Sequence, residues 1–316
     1  MANGAGHSKK IERIEREVSL SEVRNESKYI AISELHEEKG YTVKQLCEKL
    51  NIARSAYYKW KNREKSNSQI INEQLAEKIM ELHKKHNGIL GYKRMTMFIN
   101  RINDTNYNHK RIRRIMIVLG ISSVIRRKNS GCTRPSLEQM TAENILNRKF
   151  EAYRVNEKWL TDVTEFKYGN GEKLYLSAIL DLFDRRTVAY TIGKHNNNHL
   201  VFSNFDEAVR LNPDAHPLFH SDRGFQYTNQ TFKNKLISAG MKQSMSRVGK
   251  CIDNGPMEGF WGIIKSEMYY LNDKFETYEE LETAIKDYID FYNNDRYQAK
   301  LGAKSPLEFN KESQAA

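Results

Sequence analysis

At 316 residues, the chain is long enough for about two domains, and it carries a formal net charge of +11 and three scattered cysteines. No stretch approaches the run of roughly 18 apolar residues that crosses a bilayer, and the cysteines form no C-x-x-C pair. These features exclude a membrane-spanning protein, a disulfide scaffold and a cysteine zinc site, and they favour a soluble protein of the cytoplasm.

The positive charge is concentrated in the N-terminal half. Residues 1–149 hold 30 Lys and Arg against 16 Asp and Glu, whereas residues 150–316 hold 21 against 24. A concentrated positive field favours a polyanionic partner, because each phosphate that is neutralised releases condensed counterions. A lysine-rich surface that only faces solvent is the alternative.

A polar segment, residues 1–28, precedes a first helical unit over residues 29–66. A helix, a short turn and a second helix form the geometry that places a helix in the major groove of DNA. Arg54, Tyr57 and Tyr58 on the last helix are therefore candidate DNA contacts, although any small three-helix domain has a similar pattern. The helices of this unit are predicted over 28–38, 43–50 and 54–61.

A second helical unit is predicted over residues 67–125, and a basic linker over residues 126–152 follows it. The helix predicted over residues 108–120 has an apolar stripe on one face and four cations on the other. Contact of these four cations with DNA phosphates or bases explains their close spacing better than exposure to solvent does. A solvent-exposed face remains the alternative. The three helices of the second unit are predicted after Asn72, over residues 91–99 and over residues 108–120. The candidate DNA contacts are Lys93, Arg94, Lys110, Arg111, Arg113, Arg114, Arg126 and Arg127.

The C-terminal half changes to β-branched and apolar runs that alternate with helical patterns. Three consecutive strands, followed by alternating helix and strand, indicate an α/β domain with a mixed five-stranded sheet and helices on its faces. The strands are predicted over 158–166, 173–183, 185–193, 217–222 and 241–246, and the helices between the last three over 199–211 and 228–240.

Two carboxylates stand where predicted strands would bring them to the rim of the sheet. Asp162 lies on the first strand, and Asp222 directly follows the fourth. Isolated buried aspartates are costly to ionise, and a divalent cation with oxygen ligands is the economical counter-charge. Asp181 and Asp184 also flank a strand, but the arginines that follow them offer ordinary ion pairs.

The stretch DNGPMEGFWGIIKSE adds three more carboxylates around one predicted helix. Asp253 and Asn254 are suited to capping its first turn. At about 100° per residue, Glu267 points roughly opposite to Glu258, whereas Lys265 returns to the face of Glu258 about two turns further on. We therefore expect Glu258 to face the same site as Asp162 and Asp222. We expect Lys265 to lie beside a phosphodiester bound at that site. A solvent-facing Glu/Lys helix is the alternative.

Five motifs carry a resemblance to a known family. WLTDVTEF, LYLSAILDLFDRR, HSDRGFQYTN, SMSRVGKCIDNGPMEGFWGIIKSE and YIDFYNNDRYQAKLGAKSPLEF resemble the catalytic region of bacterial insertion-sequence transposases of the IS-three family, second-reading-frame type, a group related to retroviral integrases. Thirty-five residues separate Asp222 from Glu258, as in that family's Asp-Asp-Glu triad, and Lys265 occupies its basic position seven residues after the Glu. Gly255 and Gly259 depart mildly from the family pattern.

The resemblance implies a multidomain protein. Helix-turn-helix units precede an RNase H-like catalytic core over residues 153–272, and a C-terminal helix and tail occupy residues 273–316. Asp162, Asp222 and Glu258 would bind two Mg²⁺ ions, for which Mn²⁺ could substitute. The implied activity is that of a DNA transposase, which cleaves the ends of its element and joins the 3′-hydroxyl to DNA through a circular intermediate.

The implied partners are double-stranded DNA, as terminal inverted repeats and target, and further copies of the chain in a homodimer or larger assembly. A polypeptide from an upstream reading frame is a further possible partner, and the implied location is the nucleoid of a bacterial cytoplasm.

Three other side chains are candidates for supporting roles. His220 could orient a group or shuttle protons, although a hydrogen-bonded histidine at a strand end is the stronger interpretation. Gln226 and Asn254 could contact substrate. Two rival functions stay open: a DNA-binding regulator, which gives no reason for three acids at this spacing, and a purely hydrolytic RNase H-like nuclease.

Overall fold

The structure is a computed structural model that describes residues 26–64, 66–125, 142–247, 251–271 and 275–315. It divides into two compact units, Met1–Ser123 and Val124–Ala316. Arg126 and Arg127, predicted to contact DNA, lie outside the described residues, as does nearly all of the polar segment 1–28.

The first unit begins with three short helices, as predicted. Thr42 and Gln45 form a capping box that starts the second of them, which satisfies backbone N–H groups that have no partner within the helix. The core between the helices contains Tyr29, Ile32 and Tyr57. The helices are α1 (Glu26–Lys39), α2 (Val43–Lys49) and α3 (Arg54–Lys61).

Three further helices follow within the same unit. The first starts several residues earlier than predicted, because Ser66 and Gln69 form a capping box ahead of it. In the third, Asn108 caps the first turn as predicted, and the buried stripe includes Ile112 and Ile115. The helices are α4 (Asn67–Lys85), α5 (Tyr92–Ile102) and α6 (His109–Val118).

The second unit contains the predicted mixed sheet of five strands, ordered β3-β2-β1-β4-β5. The first three strands are antiparallel neighbours, whereas β4 and β5 run parallel to β1. The carboxyl ends of β1, β4 and β5 therefore point in one direction. The strands are β1 (Lys158–Tyr168), β2 (Glu172–Asp181), β3 (Thr187–Gly193), β4 (Leu218–Ser221) and β5 (Lys242–Met245).

Helices cover both faces of this sheet. Successive residues of a strand point to opposite faces, so Trp159 and Leu160 of β1 belong to two different hydrophobic clusters. One cluster packs two helices against the sheet, α7 (Asn198–Leu211) and α8 (Gln230–Ser238). The other packs α9 (Gly255–Glu267) and α10 (Tyr278–Asn294). The predicted boundary at residue 272 therefore divides a single core.

The C-terminal residues are tied to the sheet by polar contacts. The side chain of Asn293 accepts a hydrogen bond from the backbone N–H of Thr187 and donates one to its carbonyl. Asn310, on α11 (Pro306–Ala315), donates to Asp184. Asp184 also forms the predicted ion pair with Arg186, at 3.0 Å. No helix in the described ranges is long and apolar enough to cross a membrane.

Candidate active site

Asp162 lies in the middle of β1 and is held by two donors. The backbone N–H of Val163 donates to Oδ1 at 2.8 Å, and the indole N–H of Trp261, on α9, donates to Oδ2 at 3.0 Å. The carboxylate therefore has a defined orientation, and α9 is connected directly to the strand. Trp261 had no role in the sequence analysis, because only the packing of α9 on the sheet reveals this contact.

Asp222 lies directly after β4, the parallel neighbour of β1. The backbone N–H of Gly224 donates to its Oδ1 at 2.9 Å. Burial, and then the nearby charge of Asp222, raise the pKa of Asp162 to about 7. Burial also raises the pKa of Asp222. The fold thus brings the two predicted aspartates together in a buried environment that disfavours their ionised forms.

Glu258 lies in the first turn of α9 and is exposed. It precedes Trp261 by three residues, so both side chains are on the same side of the helix. Its charge is a further, smaller contribution that raises the pKa of Asp162. In the described parts of the chain, no three His, Cys, Asp or Glu side chains are close enough together to form a metal-binding group. The charges of Asp222 and Glu258 thus both act on Asp162, and that of Asp222 acts more strongly.

The chemistry of these side chains fits a hard divalent cation. Within the described residues, neither Asp162 nor Asp222 forms an ion pair. The charge of Lys265 acts on Asp162 from a longer distance, and the pKa of Asp162 is still raised. Carboxylate oxygens are the ligands that Mg²⁺ prefers, and a cation between the two aspartates would remove the penalty on their ionised forms.

Gly224 is a further residue on which the position of Asp222 depends. A Cβ atom added at Gly224 would lie 2.9 Å from Oε1 of Gln226 and 3.1 Å from Oδ1 of Asp222. We expect Gly224→Ala to displace the Asp222 carboxylate and to lower kcat by about 100-fold, because misplacement by about 1 Å has effects of that order. Kinetics of DNA strand cleavage would measure the change.

Gly259→Ala is the matched control for this substitution. Its Cβ atom would meet nothing within 4 Å, and Gly259 is inside α9. We expect this variant to keep its activity and to gain about 0.5–1 kcal/mol of unfolding free energy. Equal activity of the two variants would contradict the role given to Gly224.

His220 is fully buried and hydrogen-bonded through both ring nitrogens. Nδ1 is 2.9 Å from Oγ of Ser244, and Nε2 is 3.2 Å from Oγ of Ser246. Burial lowers the pKa of His220 to about 4. The histidine is therefore neutral at physiological pH and joins β4 to β5. This arrangement favours the hydrogen-bonded interpretation over a proton shuttle.

Asn254 and Gln226, predicted to contact substrate, are both buried. Asn254 donates to the carbonyl of Thr161 at 3.1 Å, next to Asp162, and Gln226 donates to Asn196. The side-chain oxygen of Asn254 has no hydrogen-bond partner among the described residues. Asn254 thus ties the start of α9 to β1, and substrate contact by either residue stays a prediction.

The predicted capping role of Asp253 and Asn254 is wrong. Asp253 belongs to a short 3-10 helix, Cys251–Asn254, and Asn254 at the N-cap position makes no side-chain capping bond. The Asp253 carboxylate instead accepts hydrogen bonds from Arg148 and Arg247. One of these partners is more than 100 residues away in the chain, so no local pattern could reveal it.

The two charged residues near the end of α9 have different environments. Lys265 is half-buried, and its ammonium nitrogen lies 5.3 Å from the centre of the Phe166 ring. Burial lowers the pKa of Lys265. Glu267 is buried and forms a two-point ion pair with Arg296, at 3.0 and 2.8 Å. Glu267 therefore has a structural partner of its own.

The candidate DNA contacts of the first unit differ in exposure. Tyr57 is fully buried in the core of the first three helices, so its predicted contact with DNA is wrong. Arg111 donates hydrogen bonds to the side chain of Asn72 and to the carbonyl of Ser68. Arg94 donates to the carbonyl of Ile89. Both arginines therefore stabilise the first unit through contacts within it. The exposed candidates are Arg54, Tyr58, Lys93, Lys110, Arg113 and Arg114.

Three family models match the chain. A model described as "Integrase core domain" matches residues 152–251, and a second model with the same description matches residues 258–313. A model described as "HTH-like domain" matches residues 71–129. The first two together include Asp162, Asp222 and Glu258.

Two bacterial relatives match most of the chain. The putative transposase InsK for insertion sequence element IS150 of Escherichia coli K12 is 41% identical over 234 residues, which cover 74% of this chain and 81% of that protein. The transposase for insertion sequence element IS904 of Lactococcus lactis is 31% identical over 261 residues, covering 79% and 98%.

Solved structures give weaker similarities. The catalytic core domain of HTLV-2 integrase, in complex with magnesium, has a TM-score of 0.42 and 23% identity, covering 51% of this chain and 99% of that one. The simian T-cell lymphotropic virus intasome, in complex with a PP2A regulatory subunit, has a TM-score of 0.42 and 16% identity, covering 73% and 74%.

Proposed function

This chain belongs to the insertion-sequence transposases of the IS-three family, and we propose that Asp162, Asp222 and Glu258 are its catalytic carboxylates. Its second unit has the RNase H-like integrase fold with a mixed five-stranded sheet. The observation that carries the proposal is the pair of neighbouring aspartates, whose pKa values are raised and which form no ion pair within the described residues.

The same three carboxylates would hold two Mg²⁺ ions, and Mn²⁺ would substitute for them. Such ions, when bound, lower the pKa of an attacking water or hydroxyl and neutralise charge on the attacked phosphate. Val163 and Trp261 orient the carboxylate of Asp162, and the N–H of Gly224 orients that of Asp222. No covalent intermediate with the protein is required.

The proposed reaction is phosphoryl transfer on DNA. Hydrolysis at the end of the element frees a 3′-hydroxyl, and that hydroxyl then attacks a second phosphodiester, so one P–O bond forms as another breaks. The family resemblance supports a first joining between the element's own ends, which produces a circular intermediate before integration. Lys265, on the same helix as Glu258, would contact a phosphate of the bound strand.

DNA recognition is assigned to the first unit. The six exposed candidates on its helices would contact phosphates or bases. The HTH-like match over residues 71–129 supports this role for Lys93, Lys110, Arg113 and Arg114. Processing two ends at once requires at least two catalytic sites, so we propose that the chain acts as a dimer or larger assembly on DNA, with any upstream-frame polypeptide as an additional partner.

The test is to incubate the full chain with Mg²⁺ and duplexes that carry the ends of its own element. We expect cleavage at the element's end and joining of the new 3′-hydroxyl to DNA. A regulator would bind the duplex and leave it intact, and a hydrolytic nuclease would cut without joining.

Metal removal gives a separate prediction. In excess EDTA, cleavage and joining should both fall to the protein-free background, because the aspartates cannot activate a hydroxyl by themselves. Mn²⁺ should restore both reactions. Gel analysis of labelled DNA would follow them, and activity that persists in EDTA would contradict the role given to the carboxylates.

A further inference from the structure

A cluster of arginines surrounds one buried carboxylate, Asp253, which lies just before the helix α9 that carries Glu258. Asp253 is fully buried. Its Oδ1 accepts from Nε of Arg148 at 2.7 Å and from Nη2 of Arg247 at 2.8 Å. Its Oδ2 accepts from Nε of Arg247 at 2.8 Å, from the backbone N–H of Arg247 at 3.1 Å and from the side chain of Asn144 at 2.9 Å.

The cluster carries more positive charge than its carboxylate can neutralise. Two guanidinium groups share the single negative charge of Asp253. A third arginine, Arg223, directly follows Asp222 and donates its Nε to the carbonyl of Ser246 at 2.8 Å, next to Arg247. The balance of Arg148, Arg247 and Asp253 is therefore about +1, and no other acidic side chain forms an ion pair with Arg148 or Arg247 among the described residues.

Within the described residues, Arg148 and Arg247 also have guanidinium N–H groups beyond those that bind Asp253. A guanidinium group has five N–H donors in a rigid plane. Arg148 uses one of them on Asp253 and Arg247 uses two. Their side chains are 42% and 46% exposed, so the remaining donors face solvent. Fixed, planar donors of this kind match the oxygens of a phosphate group.

The arginines are held in place before any ligand binds. Asn144 donates to Asp253 and accepts from the backbone N–H of Asn147 at 2.8 Å, which closes the turn that presents Arg148. The segment is anchored further by the N–H of Leu146, which donates to Ser244, a residue of β5. A group that is ordered in advance loses less entropy when it binds, so these contacts favour binding of an anion.

We propose that Arg148 and Arg247, fixed by Asp253, form a binding site for a backbone phosphate of the DNA strand next to the scissile phosphate. This inference rests on the proposed function, because it places the reacting strand beside Asp222 and Glu258. The location follows from the chain: Arg223 adjoins Asp222, and Asp253 precedes Glu258 by five residues. The arginines supply affinity and register for the strand, and they take no part in bond breaking.

Arg148→Gln is the test, because Arg247 and Asn144 continue to hold Asp253 in this variant. Binding of the full chain to a duplex carrying the element's end is measured over a range of salt concentrations, in EDTA. The logarithmic salt slope should become shallower by about one, as expected for the loss of one phosphate contact. Arg210→Gln is the control, since Arg210 is an exposed, ion-paired arginine on α7, and its slope should stay at the wild-type value.

Kinetics separate strand binding from a role that is only structural. With Mg²⁺, Arg148→Gln should raise the KM for DNA about tenfold with kcat nearly unchanged, because a phosphate away from the reacting atoms is bound equally in the ground and transition states. Arg148→Lys, which keeps the charge, should recover part of the loss. A fall in kcat with an unchanged KM would overturn the proposal, as would a wild-type salt slope in Arg148→Gln.

The measurement of DNA binding in EDTA does not depend on whether the chain cleaves DNA. If the wild-type chain failed to cleave any end duplex in Mg²⁺, the proposed function would fail, and the salt slope in EDTA would still decide whether Arg148 contacts a phosphate. Thermal unfolding of Arg148→Gln should match the wild-type midpoint within a few degrees, and a larger fall would assign the arginine to folding instead.

Discussion

Replacing any one of Asp162, Asp222 or Glu258 by its amide is expected to abolish strand cleavage and joining while DNA binding is retained. The amide has nearly the same shape as the acid, but it lacks the negative charge that holds a divalent cation. Cleavage assays and fluorescence anisotropy on the same preparations would measure the two properties. Asp206→Asn is the matched control, because Asp206 is exposed on α7, where it pairs with Lys235.

Stability measurements separate this effect from damage to the fold. Because burial raises the pKa of Asp162 to about 7, ionisation of this group costs folding free energy as the pH rises from about 4 to about 7. Without metal, Asp162→Asn should therefore be at least as stable as the wild type, and its advantage should be larger at pH 8 than at pH 4. An inactive variant that is also less stable at pH 8 would contradict the assignment.

Replacing Arg296 by Met is expected to lower the free energy of unfolding by about 3–5 kcal/mol. Glu267 is buried at the end of α9, and Arg296 is its two-point ionic partner. Tyr288 donates a further hydrogen bond to the same carboxylate. Removal of the arginine takes the two-point ionic partner from a buried carboxylate, which is more costly than losing both charges of the pair. Denaturant unfolding of the purified chain would measure the loss.

The double variant Glu267→Leu with Arg296→Met provides the control. Without either charge, the site becomes apolar, and we expect it to recover a large part of the stability lost in Arg296→Met. If Arg296→Met were as stable as the wild type, the buried pair would not be what holds the C-terminal part of the chain to α9.

Sequence patterns predicted most of the fold because its elements have strong local signals. Apolar and β-branched runs predicted all five strands, with errors of a few residues at their ends. The helices that Thr42 and Asn108 cap begin within one residue of their predicted starts. Helical geometry separated Glu258 from Glu267, and the structure gives Glu267 its own partner on the C-terminal side.

The errors concern contacts between distant parts of the chain. Asp253 has the residue type and position of a helix cap, but two arginines compete for its carboxylate, and charge-assisted bonds of this kind are stronger than a capping bond. Tyr57 stands beside exposed residues in a basic helix, yet the small core of three helices needs its ring. Burial of a single aromatic residue is decided by the packing of neighbouring helices, which local periodicity does not encode.

The carboxylates of the proposed catalytic centre could be selected from the sequence, whereas the contacts that surround them could not. The spacing of Asp222 and Glu258 is visible in the sequence, whereas the contact of Trp261 with Asp162 and the tight fit at Gly224 exist only in the folded chain. These contacts decide the orientation of the carboxylates, and hence how well they can hold a cation.

Binding of Mn²⁺ to the full chain is the most direct measurement of the central claim, and it does not depend on knowing the DNA sequence. Free Mn²⁺ is followed by electron paramagnetic resonance while the ion is titrated into the wild type and into Asp162→Asn and Asp222→Asn. The carboxylate centre predicts saturable binding in the wild type that is lost in both variants. Equal Mn²⁺ binding by all three proteins would contradict it.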